Sequence, residues 1–214
     1  MTRHVSRSAL AIAIASVALA STAVAQMKVE VGASIGLYSP MSNFRPAPVY
    51  WTNLPHGPSD LSGSAIGGEL RLWVAPRVGL QLAATTTSST VGGGATPEGE
   101  APTTSARIST GTAQMLFRVT GDASRARIWV GAGGGAIQHG GLTYAAFGKP
   151  VDYGAVASVG SAIRIRGGLS ADLGLTSLIY NLNIRGTAAT DPNLSERGRQ
   201  VDMLLHTGVS YSWH

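Results

Sequence analysis

The stretch MKVEVGASIGL, Met27 to Leu37, decides the fold. One parity reads Met27, Val29, Val31, Ala33, Ile35, Leu37. The other reads Lys28, Glu30, Gly32, Ser34, Gly36. Strict period two puts apolar side chains on one face of a strand and small or charged ones on the other. The pattern returns along the chain. Leu70, Leu72 and Val74 alternate with Glu69, Arg71 and Trp73. Met115 and Phe117 alternate with Gln114, Leu116 and Arg118. Ile128 and Val130 alternate with Arg127 and Trp129. Similar stretches around residues 80–83, 155–166, 169–176 and 202–213 bring the predicted number of strands to eight.

The connections sort by length. Three are tight, around Ala75 to Val78, Gly121 to Ser124 and Gly167-Gly168. Four are long and rich in Gly, Pro, Ser and Thr, over about 39–62, 90–105, 139–152 and 184–199. Short and long alternate, as the periplasmic turns and external loops of bacterial outer-membrane barrels do. Proline is kept out of the strand cores, as a hydrogen-bonded ladder requires. The expected fold class is all-β, an eight-stranded antiparallel up-and-down transmembrane β-barrel. Its apolar parity faces lipid and its polar parity faces the lumen. The fourth strand is the least regular, because Ile108 and Leu116 share the inward parity with Thr110 and Arg118. A bulge there could shift the register.

The N-terminus agrees with this destination. Arg3, His4 and Arg7 precede the apolar run Ala9 to Ala20, and Ala23-Val24-Ala25 offers a cleavage site. Residues 1–25 read as a secretory signal peptide and 26–214 as the barrel. The chain of 214 residues has 28 glycines, no cysteine and 13% charged residues. A soluble domain carries about a quarter. No disulfide framework or thiolate metal site is available. The leader holds two arginines and no acid, so the mature chain keeps 14 basic residues against 11 acidic ones. That mild balance, without a basic stripe, gives no case for nucleic acid.

The last strand, Leu205-x-Thr207-x-Val209-x-Tyr211-x-Trp213, resembles the C-terminal assembly signal of outer-membrane barrels. It departs from that signal in that His214 follows the aromatic. The resemblance implies recognition by the barrel-assembly machinery. Over residues 27–213 the chain resembles, in architecture, the small-barrel class of OmpX, Ail and the OmpA N-terminal domain. The expected localisation is the cell outer membrane.

The inward charges suggest a lumen network of Glu30, Glu69 and Asp172 with Arg71, Arg118, Arg127 and Arg164. Such charges must pair or find water, and paired they would plug the barrel. The competing reading is that strand-tip arginines, Arg127 and Arg166 above all, snorkel to water. Phe117, Tyr211 and Trp213 fall on the outward parity at periplasmic ends, where an aromatic girdle sits. The external loops offer Phe44, Arg45, Tyr50, Trp51, Tyr144 and Phe147, residue types that binding hot spots use. These loop residues would contact an external protein ligand or pack on lipopolysaccharide. Arg185, Arg197 and Arg199 in loop four could meet lipopolysaccharide phosphates.

A lipid-modifying enzyme would need a histidine, a serine and a carboxylate close together. His206 shares its face with Asp202 and Ser210, but residues four apart on a strand stand about 13 Å apart. Ser34 on the first strand is the nearer candidate. The deacylase type would require a compact His-x-Ser, and His206-Thr207-Gly208 lacks it. No enzyme, cofactor or metal is expected. GAGGG, Gly131 to Gly135, lies in a strand pattern with no helix after it and is no phosphate loop. The functional expectation is a closed surface-interaction scaffold, and the alternative is a narrow channel for small solutes.

Overall fold

The computed structural model describes residues 27–41, 62–91, 95–96, 99–100, 104–121, 124–141, 151–185 and 195–213. The leader over 1–25 and the loop residues Phe44, Arg45, Tyr50, Trp51, Tyr144 and Phe147 lie outside the described residues. The described residues form ten strands: β1 (Lys28–Pro40), β2 (Gly63–Trp73), β3 (Val78–Val91), β4 (Ala95–Thr96), β5 (Gly99–Glu100), β6 (Thr104–Arg118), β7 (Ala126–Gly141), β8 (Val151–Arg166), β9 (Leu169–Arg185) and β10 (Ser195–Trp213). Eight of them close a barrel in the order β1-β10-β9-β8-β7-β6-β3-β2, and β4 pairs with β5 separately. Every ladder is antiparallel. Closure leaves no sheet edge, which lipid would not tolerate.

The two parities separate as the alternation requires. Met115 and Leu116 are neighbours in sequence, yet Met115 is 62% exposed and Leu116 is fully buried. Ile35, Leu37, Ile66, Leu82, Val159 and Leu173 are likewise exposed on the outside. The barrel is therefore inside-out relative to a soluble one: an apolar wall surrounds a polar and aromatic interior.

A narrow barrel must make room for large interior side chains. Three of them solve this in one way, each lying across the ladder from a glycine. Trp73 pairs with Gly79, Trp129 with Gly160 and His206 with Gly174. A Cβ added at Gly160 would sit 2.5 Å from the Trp129 ring, and one at Gly174 would sit 2.5 Å from His206 Nε2. Gly160→Val is expected to cost about 1–3 kcal/mol by overpacking. Gly111 has open space around its added Cβ, and Gly111→Ala is expected to cost nothing comparable. Urea midpoints of the two refolded variants check the contrast.

Two expectations are corrected. The strands run further outward than the loop-like composition suggested. His139 lies within β7, and Glu196, Arg197 and Arg199 belong to β10. The ladder hydrogen bonds continue through segments whose Gly and charge content reads as loop. The irregular strand is also elsewhere. The ladders of β6 with β3 and β7 keep continuous register, and Ile108 and Leu116 simply fill the lumen. Among the described ladders the register shift lies between β8 and β9, at Arg164 to Arg166.

Candidate functional site

Among the described residues, buried lumen side chains gather at two levels. The lower one, near the tight turns, is an ion network. Arg71 reaches Asp172 Oδ1 at 3.1 Å and Glu30 at 3.7 Å, and it also donates to Glu69. Arg127 donates to Glu30 and, at 3.0 Å, to Ser170 Oγ. Lys28 stands 3.3 Å from Glu30. Gln81 donates to Glu69. Three carboxylates thus meet three cations, nearly all of them buried. Burial of single charges is costly, and mutual pairing in one cluster offsets that cost.

Aromatic rings complete this level. The Arg71 guanidinium lies 4.3 Å from the Trp129 ring centroid and the Arg118 guanidinium 3.9 Å from that of Trp73. Arg118 also donates to the Pro76 carbonyl at 3.1 Å. Trp73, Leu116, Trp129 and Ala162 form one buried apolar layer here. The stacking strengthens where water is excluded.

Arg164 does not join the network. It is exposed at the end of β8, beyond buried Ala162. Its amide donates to the Arg125 carbonyl at 3.1 Å, and the register shift that follows carries the strand past the lumen floor. Arg127, read as a possible snorkelling residue, is buried in the network, whereas Arg166 is exposed.

The upper level was not foreseen. Tyr38, Ile108, Ile137, Val156, Leu178, Tyr180 and Leu182 form a buried cluster in the outer half of the lumen. Its polar centre is Asp202, which accepts from Tyr38 Oη at 2.5 Å and from Tyr180 Oη at 2.8 Å. Tyr180 Oη lies 3.3 Å from His139 Nε2, and His139 Nδ1 lies 3.8 Å from Asp152. The available signal was the continued inward parity of Tyr38, His139, Tyr180 and Asp202. Between the levels is a cavity of about 30 Å³ lined by polar groups including Ser34, Glu69, Gln114 and His206. That is room for about two waters.

The candidate triad is not assembled. Asp202 is engaged by the two tyrosines, and Asp172 by Arg71. Ser34 faces Gly208 in the ladder, whereas His206 faces Gly36. The Nδ1 of His206 has no hydrogen-bond partner.

Outside, Phe117, Tyr211 and Trp213 are each about half exposed at the short-turn end. Tyr211 and Trp213 pack edge to face with centroids 5.0 Å apart. Tyr153, 76% exposed at the opposite end of the wall, is their counterpart there.

A closed eight-stranded barrel with an apolar outside and a charged lumen is a small transmembrane β-barrel of the outer-membrane kind. The solved structures similar to it are of that kind. OprG from Pseudomonas aeruginosa superimposes with a TM-score of 0.58 at 13% identity, covering 87% of this chain and 96% of that one. AlkL, solved in lipid bilayers, gives 0.54 at 11% identity, covering 87% and 89%. Neisserial surface protein A gives 0.53 at 10% identity, covering 86% and 96%. No protein-family profile and no curated protein sequence matches the chain.

Proposed function

We propose that the barrel is a sealed, non-enzymatic scaffold in the outer membrane, which holds four external loops for surface contact. The observation that carries this reading is the double filling of the lumen. The Glu30–Arg71–Asp172 network occupies the floor and the Tyr38–Asp202–Tyr180 cluster occupies the outer half. The cavity between the two levels has room for about two waters, which supports the sealed reading. Eight strands leave an interior just wide enough for side chains. Investment of the lumen in packing, with no site chemistry assembled there, leaves the loops as the surface for ligands.

The outward aromatics Phe117, Tyr211 and Trp213 would serve as the girdle at the lower interface. The outward row Leu205, Val209, Tyr211 and Trp213 supports the reading of β10 as an assembly signal. Lipopolysaccharide and an external protein ligand are the loop partners this reading implies. Solute influx into vesicles holding the refolded protein tests the sealing. Small sugars and amino acids are expected to enter no faster than into empty vesicles. Influx that rises with the amount of protein would favour the channel reading.

A further inference from the structure

The charges whose side chains are described divide by sign. The carboxylates Glu30, Glu69, Asp152, Asp172 and Asp202 all turn into the lumen. Among the residues whose side-chain burial is described, the exposed charged ones are arginines: Arg77, Arg107, Arg125, Arg164, Arg166 and Arg199. Four of these six crowd the short-turn end. Arg77 closes the β2–β3 turn, Arg125 closes the β6–β7 connection, and Arg164 and Arg166 end β8.

The backbone stitches these turns together. The Arg77 carbonyl accepts from the Arg118 amide at 2.8 Å, which ties the first turn to β6. The Arg125 carbonyl accepts from the Arg164 amide at 3.1 Å, which ties the second to β8. The four arginines therefore form an arc along the rim from β3 to β8. None of them makes an ion pair with a described residue. On the wall beside and above them, Phe117, Val119, Ile128, Ile163 and Ile165 are exposed. The arc thus borders the apolar belt. On the other part of the rim, beside β1 and β10, Tyr211 and Trp213 take this position instead.

We propose that Arg77, Arg125, Arg164 and Arg166 form a one-sided binding surface for anionic phospholipid headgroups of the periplasmic leaflet. Guanidinium forks match phosphate oxygens and stay charged at any relevant pH. Neighbouring acids would weaken such a field; the described carboxylates lie inside the barrel, and Asp122, three residues before Arg125, lies outside the described residues. The short-turn end is the periplasmic one in barrels of this kind.

The test uses the refolded full barrel in phosphatidylcholine vesicles doped with spin-labelled phosphatidylglycerol or spin-labelled phosphatidylcholine. The protein-bound fraction of each label gives a relative association constant. Wild type is expected to select phosphatidylglycerol. The fourfold variant Arg77→Gln, Arg125→Gln, Arg164→Gln, Arg166→Gln is expected to lower that selectivity by at least about fivefold, the effect of one basic residue at an anionic surface. High salt is expected to weaken it too. The pair Arg107→Gln, Arg199→Gln at the opposite rim is expected to keep most of it. Equal association of both lipids with wild type would overturn the proposal. So would unchanged selectivity in the fourfold variant, or its loss in the opposite-rim pair. Gel mobility of the folded form confirms that each variant forms a barrel before the comparison is made.

Discussion

Arg71→Ala is expected to destabilise the barrel by about 3–5 kcal/mol, the cost of breaking a buried charge cluster by removing one partner. Arg71 touches Glu30, Glu69 and Asp172 and packs its guanidinium on Trp129. Without it, Glu30 keeps Arg127 and Lys28. Glu69 keeps only the amide of Gln81 from this network, and Asp172 loses its salt-bridge partner. Two carboxylates are then stranded in the lumen floor. The urea midpoint of the refolded protein in vesicles reports the loss. Neutralising one stranded acid in the double variant Arg71→Ala, Glu69→Gln is expected to recover part of it. That recovery separates electrostatics from the packing lost with the long side chain. A midpoint unmoved by Arg71→Ala would mean that these charges are hydrated and that the floor is open.

The second large effect concerns the wall. Ile35 lies near the middle of β1 with its side chain 63% exposed. If lipid covers that face, Ile35→Arg places a charge in hydrocarbon and is expected to cost about 2–4 kcal/mol. Met27 stands at the lower end of the same outward row and is also exposed. Met27→Arg is expected to cost only about 0–1 kcal/mol, because the penalty fades at the interface. Equal effects at the two positions would contradict the membrane depth assigned to β1.

The barrel was legible from parity and loop lengths because both follow from geometry. Period two tells which residues share a face, and a continuous apolar face on eight strands suffices to define the wall. The lower network was legible for the same reason: Glu30, Arg71, Arg127 and Asp172 are charges on the inward parity of well-formed strands. Arg164 shares that parity but lies beyond the lumen floor, and parity carries no information about height. The upper cluster was missed for a related reason. His139 and the segment before Gln200 read as loop from their composition, whereas the ladders extend β7 to 16 residues and β10 to 19. A strand needs about 9–11 residues to cross a membrane. The ladders run further than that, and the interior of the added length is filled by ordinary core packing. Tyr38, Ile137 and Tyr180 supply that filling, with Asp202 as the shared acceptor. The pairing of Trp73, Trp129 and His206 with facing glycines was equally hidden, since it depends on the register between strands.

On the proposed reading, no solute path runs through the two packed levels of the barrel. Single-channel recording of the refolded wild-type protein in a planar bilayer tests it most directly, with the double variant Arg71→Ala, Glu69→Gln beside it. Wild type is expected to stay silent, and the variant, with its floor thinned, to show brief small openings. Steady openings of the wild-type barrel would contradict the claim.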